Sequence, residues 1–237
     1  MLGLAASAAT ATSIGGWNPS RLQSLLMWFR FNHGIVLDGE GDVIKWTNQH
    51  NISRTHGDVH VEQDGGALTS PIQNADGSIE FDHTANSLRF KSGGSNTELN
   101  LGAFSMYWRI KFKVTDTISS EDLAEKDGNN FFKIVSPTAT RTKVGGTRAD
   151  WTHSEIQEGT KITVGFERNS SGTMQSYVDG VAGEVDEEEG NVDIGTTLDL
   201  TQFGKPVNNS FWYTVVICNN ALTTDERSLL NSYLDNL

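Results

Sequence analysis

Three carboxylates in the run Glu184-Val185-Asp186-Glu187-Glu188-Glu189 are spaced as E-x-D-x-x-E, and that pattern could do chemistry. Retaining glycoside hydrolysis needs two carboxyl groups about 5 Å apart, and alternate residues of a strand share a face. Here Glu187 and Glu188 interrupt the pattern, and Gly183 and Gly190 flank it. The run therefore also reads as a solvated acidic turn. Within such a turn Asp186, Glu188 and Glu189 are weak calcium candidates, because carboxylate oxygens suit that hard cation. No other cofactor or metal is indicated.

Histidines are the next candidates. His56 and His60 are four apart, with His50 nearby. On a helix that spacing aligns two metal ligands, but the segment has no helical periodicity. In an extended strand residues four apart lie about 13 Å from each other, too far for one ion. Ordinary loop histidines are the alternative. Six tryptophans could include a sugar-stacking platform. Trp28 and Trp108 sit in buried or alternating strands. Trp151 sits among polar neighbours, Arg148-Ala149-Asp150-Trp151-Thr152-His153, and is the candidate for an exposed recognition residue, with packing of its loop on the sheet as the other reading. Cys218 is the only cysteine, so no intrachain disulfide forms, and its apolar strand suggests a buried core thiol. No phosphate loop, nucleophile elbow or paired-cysteine site occurs.

The chain has 237 residues, room for one large all-β domain with its own core. Its formal net charge is −12, which repels phosphate backbones, so nucleic acid is not an expected partner. No apolar run approaches the roughly 18 residues that span a bilayer. The start, Met1 to Ala9, is mildly apolar but carries no Lys or Arg before Arg21, unlike a secretory leader. Residues 1–16 read as an extended arm, either disordered or ordered against a neighbour through Met1, Leu2, Leu4 and Ile14. Residues 17–237 read as a single domain.

Strands dominate the elements that would position these groups. Pro19 and Ser20 suggest a short helical turn through Ser24, with Ser20 as its cap. Leu25 to Phe31 and Val43 to Trp46 read as strands, Val59 to Glu62 as a further short one. Ser78 to Phe81 and Ser87 to Lys91 read as two strands about a turn. From Phe104 to Val114 alternation is strict. It predicts Phe104, Met106, Trp108, Ile110, Phe112 and Val114 in a core, with Ser105, Tyr107, Arg109, Lys111 and Lys113 in water. Thr115 to Asn130 reads as an acidic connection, followed by a strand at Phe131 to Val135. Lys161 to Arg168 and Thr173 to Asp179 form a hairpin about Asn169-Ser170-Ser171-Gly172, with Asp179-Gly180 as a second turn. Thr197 to Phe203 and Phe211 to Cys218 complete the strands. Thr223 and Glu226 make a capping box for a terminal helix whose apolar face includes Leu229, Leu230, Tyr233, Leu234 and Leu237. These elements predict an all-β fold: an antiparallel β-sandwich with one C-terminal α-helix and an extended N-terminal arm.

With those residues in place the chain resembles the laminin-G-like, concanavalin A-like jelly roll. Ser176-Tyr177-Val178-Asp179-Gly180-Val181 is similar to that family's strand and turn, and Ala221-Leu222-Thr223-Thr224-Asp225-Glu226-Arg227 to its entry into the terminal helix. Asp42 to Trp46 with Ser70-Pro71 resembles the opening of such modules. The start, Met-Leu-Gly-Leu and a small-residue arm, resembles virion structural proteins of marine tailed phages, including those of cyanobacteria. That resemblance implies a non-enzymatic protein of the particle surface, a capsid decoration or tail component assembled in the host cytoplasm. Its partners would be other virion proteins, and its state a homo-oligomer or a lattice. A glycan-binding module, with calcium in one version, is the alternative. A glucanase using Glu184, Asp186 and Glu189 is the third reading, because glucanases of this jelly roll carry the same carboxylate pattern.

Overall fold

The computed structural model describes residues 16–50, 59–63, 70–82, 87–114, 117–186, 196–204 and 210–237. Among these, two large antiparallel sheets face each other, a small two-stranded sheet joins Leu99–Leu101 to Leu198–Leu200, and one α-helix, Thr224–Asp235, lies at the C-terminal end. Across the first sheet run Val181–Ala182, Met174–Val178, Lys161–Arg168, Phe104–Phe112, Ser210–Cys218, Ile79–Phe81 and Ile72–Gln73, with Leu25–Phe29 also pairing Ser210–Cys218. The second begins at Glu184–Val185 and Thr147–Thr152. It continues through Ala139–Val144, Asn130–Ser136, Glu121–Asp127, Gln202–Gly204 and Ser87–Ser92, and ends at His60–Gln63, Val43–Thr47 and Ile35–Leu37. The sandwich predicted from alternation is therefore present, with its single capped helix.

The main core lies between the sheets. Phe104, Met106, Trp108, Ile110 and Phe112 are all buried there, on alternate positions of one strand. Val114, expected to continue this core face, lies past the end of the strand and is 68% exposed. The opposite face of that strand departs from expectation. Ser105, Tyr107 and Arg109 are buried as well, because the terminal helix covers this face instead of water. Leu230 and Leu234 of the helix pack there with Leu22, Leu25, Trp28, Val216 and Cys218. A third layer therefore lies on the outside of the first sheet.

A charged network pins that layer. Glu167, 4% exposed, accepts from Tyr107 Oη at 2.5 Å and from Arg227 Nε and Nη2 at 3.0 and 2.8 Å. The Arg227 guanidinium also lies 4.3 Å from the Tyr177 ring centroid. Burial first, then the Glu167 charge, pushes the Tyr107 phenol well above its ordinary pKa. Further along the helix Arg109 pairs with Asp235 at 3.1 Å.

Several local expectations are corrected. Glu121–Asp127, read as a connection, is a strand held by Asn130–Ser136 on one side and Gln202–Gly204 on the other. Ile79–Phe81 and Ser87–Ser92 do not pair; they belong to different sheets. Thr197 to Phe203 is two strands, Leu198–Leu200 and Gln202–Gly204, the first pairing Leu99–Leu101. The N-terminal turn is a 3₁₀ helix, Pro19–Arg21, capped by Asn18 rather than Ser20.

Candidate functional site

Both sheets end on the same side of the sandwich in two-residue strands, Val181–Ala182 and Glu184–Val185. The hairpin leading there turns at Asp179-Gly180, whose φ angles of 48° and 77° place both residues in the left-handed region and pair Val178 with Val181. Gly183 joins the two edge strands. A Cβ on it would lie 2.4 Å from His153 Cε1 and 2.8 Å from Trp151 Cβ, so only glycine allows this approach.

Against this edge sits the segment 152–160, and a cleft of about 500 Å³ opens between them. That volume falls within the roughly 300–1,000 Å³ of small-ligand sites. Ile156, Ile162, Val178, Val181 and Ala182 give the cleft an apolar strip. Glu155, Asp179 and Glu184 bring carboxylates to it, and Thr152, Ser154, Gln157 and Thr160 bring hydroxyl and amide groups. Three backbone bonds fix the wall segment: His153 N to Thr138 O at 2.8 Å, Ile156 N to Pro137 O at 2.7 Å and Gly159 N to Phe112 O at 2.9 Å. The buried Ile156 side chain anchors it further. The cleft is thus largely preformed.

His153 forms the inner wall. Its Nε2 lies 2.9 Å from Thr140 Oγ1 and 3.2 Å from Ser176 Oγ, and those two hydroxyls are 2.8 Å apart. The cluster ties the two sheets together, since Thr140 and Ser176 lie on opposite layers. Burial brings the imidazole pKa down to about 4, so the ring is neutral at pH 7. Asp179 Oδ1 accepts from Thr163 N at 2.7 Å and stands 3.6 Å from Arg109 Nη1. Partial burial raises its pKa, the Thr163 N–H and Arg109 oppose that, and the Asp235 charge adds to it.

The residues singled out by sequence fare differently. Trp151 is 1% exposed, not an exposed recognition residue. It lies on the inward side of Thr147–Thr152, edge-on to Phe166 with centroids 6.2 Å apart. Alternation then turns its neighbour Thr152 outward, into the cleft. Trp151 itself therefore packs in the core, while its neighbour Thr152 lines the candidate cleft. Trp28, Trp46, Trp108 and Trp212 are also buried, and Trp17 packs against Tyr233, so the tryptophans form no surface platform. Glu184 lines the cleft, and Asp186 is exposed just beyond it. Glu188 and Glu189 lie outside the described residues, as do Met1, Leu2, Leu4, Ile14 and His56. Among the described residues no three acidic, His or Cys side chains are grouped to hold a metal ion. His60 bonds Glu62 at 2.8 Å, and His50 is buried, which lowers its pKa. Cys218 is buried and its thiol is pushed up to about 12, mainly by burial. Glu155, Gln157 and Thr160 were not found by sequence; their only signal was a polar stretch between two strands.

No family model and no curated protein matches the chain. Solved structures do. A Trypanosoma rangeli sialidase in complex with sialic acid superposes with a TM-score of 0.56 at 12% identity, over 90% of this chain and 33% of that one. The binding domain of botulinum neurotoxin DC in complex with rat synaptotagmin II gives 0.58 at 11%, over 89% and 52%. That of Paraclostridial Mosquitocidal Protein 1 gives 0.57 at 14%, over 91% and 53%. The likeness is one of fold. These neighbours are β-sandwiches of jelly-roll type, and the chain spans only a third to a half of their length.

Proposed function

We infer that this chain is a non-enzymatic recognition module that binds carbohydrate in the cleft between segment 152–160 and the Val181–Ala182 edge. The observation that carries the reading is the make-up of that cleft. A pyranose ring has an apolar C–H face and a rim of hydroxyls, and the cleft offers an apolar strip beside carboxylate, hydroxyl and amide groups. Its preformed wall limits the ordering cost of binding. One solved neighbour, a botulinum neurotoxin serotype D ligand-binding domain in complex with N-acetylneuraminic acid, shares the fold at 10% identity and a TM-score of 0.55, which supports a saccharide site on such a sandwich but not the acidic sugar held there. The likeness covers 90% of this chain and 51% of that protein.

Catalysis is disfavoured because the flagged carboxylates Glu184 and Asp186 are exposed at the sheet edge, where water keeps them from the environment a general acid needs. The virion setting rests on the resemblance of the N-terminal arm and is read by mass spectrometry of purified particles. A glycan array on the intact chain tests the binding. Saturable binding that Asp179→Asn weakens at least tenfold is expected; silence across the array overturns the reading.

A further inference from the structure

The charge of the same cleft points to the class of sugar it takes. Resting on the carbohydrate reading, we propose that the cleft selects uncharged sugars and rejects acidic ones such as sialic or uronic acids.

Recognition of a ligand carboxylate needs a cation or a set of aimed donors, because burying the ion unpaired is costly. Among the described residues no Lys or Arg lines this cleft, whereas Glu155, Asp179 and Glu184 do. Arg109, whose guanidinium reaches the lining residue Asp179, is already engaged. It stands 3.1 Å from Asp235 and 3.6 Å from Asp179, and donates to Thr163 Oγ1 at 3.1 Å. His153 supplies no positive charge at neutral pH, since its ring stays unprotonated until about pH 4. The chain as a whole carries −12, so the long-range field also opposes an anion. An uncharged sugar meets none of this repulsion. Its hydroxyls can donate to the carboxylates, which strengthens each hydrogen bond through the ionised acceptor.

Matched pairs of saccharides that differ only in the acid test the proposal. Titration calorimetry with lactose and 3′-sialyllactose, and with methyl glucoside and methyl glucuronide, compares each neutral member with its acidic partner. The intact chain is used, alongside the double variant Glu155→Gln/Glu184→Gln, both exposed rim positions. The expected result is a neutral member bound at least tenfold tighter than its acidic partner at low salt. That gap should shrink several-fold in the double variant. Equal or tighter binding of the acidic members overturns the selectivity and leaves carbohydrate binding intact. A gap that the double variant does not change overturns its electrostatic origin. Failure of every saccharide in both pairs and on the array overturns the carbohydrate reading, and the selectivity with it.

Discussion

Glu167 shows how one residue governs a layer. Its carboxylate is buried and takes three hydrogen bonds, two of them from a single guanidinium. Such a pair need not beat an apolar substitute, but removing one partner strands the other. Arg227→Ala should therefore cost about 3 kcal/mol, far more than loss of an exposed ion pair. Chemical denaturation reads that loss directly. Cys218 gives a second readout, since it packs in the same layer under the helix. Its thiol should resist alkylation in the native protein and react faster in the variant, by roughly the factor by which the helix undocks. Reactivity unchanged by Arg227→Ala would mean that the apolar contacts alone hold the helix down.

At the scale of elements, the terminal helix and the hairpin before the cleft were both legible. The helix has its cap: Glu226 N donates to Thr223 Oγ1 at 3.3 Å, and Thr223 N donates to Glu226 Oε2 at 2.9 Å. Thr223→Ala removes the side-chain acceptor and should lower stability by about 1 kcal/mol, measured by urea denaturation, whereas Thr223→Ser should be nearly neutral. The Lys161–Arg168 and Met174–Val178 hairpin was found from alternation and its Asn-Ser-Ser-Gly turn. Glu121–Asp127 was missed for a physical reason. Its residues, Glu-Asp-Leu-Ala-Glu-Lys-Asp, have poor strand propensity. Neighbours on both sides supply its ladder, and Lys133 holds Asp122 at 3.1 Å. Ala139–Val144 and Thr147–Thr152, which carry Thr140 and lead into the cleft, were likewise unread. Polar residues at buried positions, Thr140 and Thr142 in the first and Asp150 in the second, mask the apolar alternation.

For the whole molecule the titrating groups set an acid limit. His153 takes a proton at about pH 4 in the folded state but near 6.5 when free. Between those values the unfolded chain binds more protons, so stability is full above about pH 6.5 and drains as pH falls toward 4. His50, also lowered by burial, acts in the same direction. Below that, Asp150 contributes. Burial works to raise its carboxyl, yet Arg141 and Arg148 hold it down at about 2, so its share is lost between pH 4 and 2. Asp179, whose pKa is raised, offsets part of this just above pH 3.8. The thermal midpoint should fall steadily from pH 6.5 to 4, and His153→Gln should flatten part of that slope. An unaltered slope in the variant would place the acid sensitivity elsewhere.

Alternation along each strand depends only on the two-residue repeat of an extended backbone. The chain's own pattern therefore decided that it builds an antiparallel sandwich, and its capping residues decided where the helix begins. Which strands become neighbours, and which outward faces a third layer covers, depend on partners far away in sequence. Hence the burial of Tyr107, Arg109 and Trp151 emerged only in three dimensions. The same is true of the cleft, where residues 152–160 meet 178–184 because both sheets end on one side.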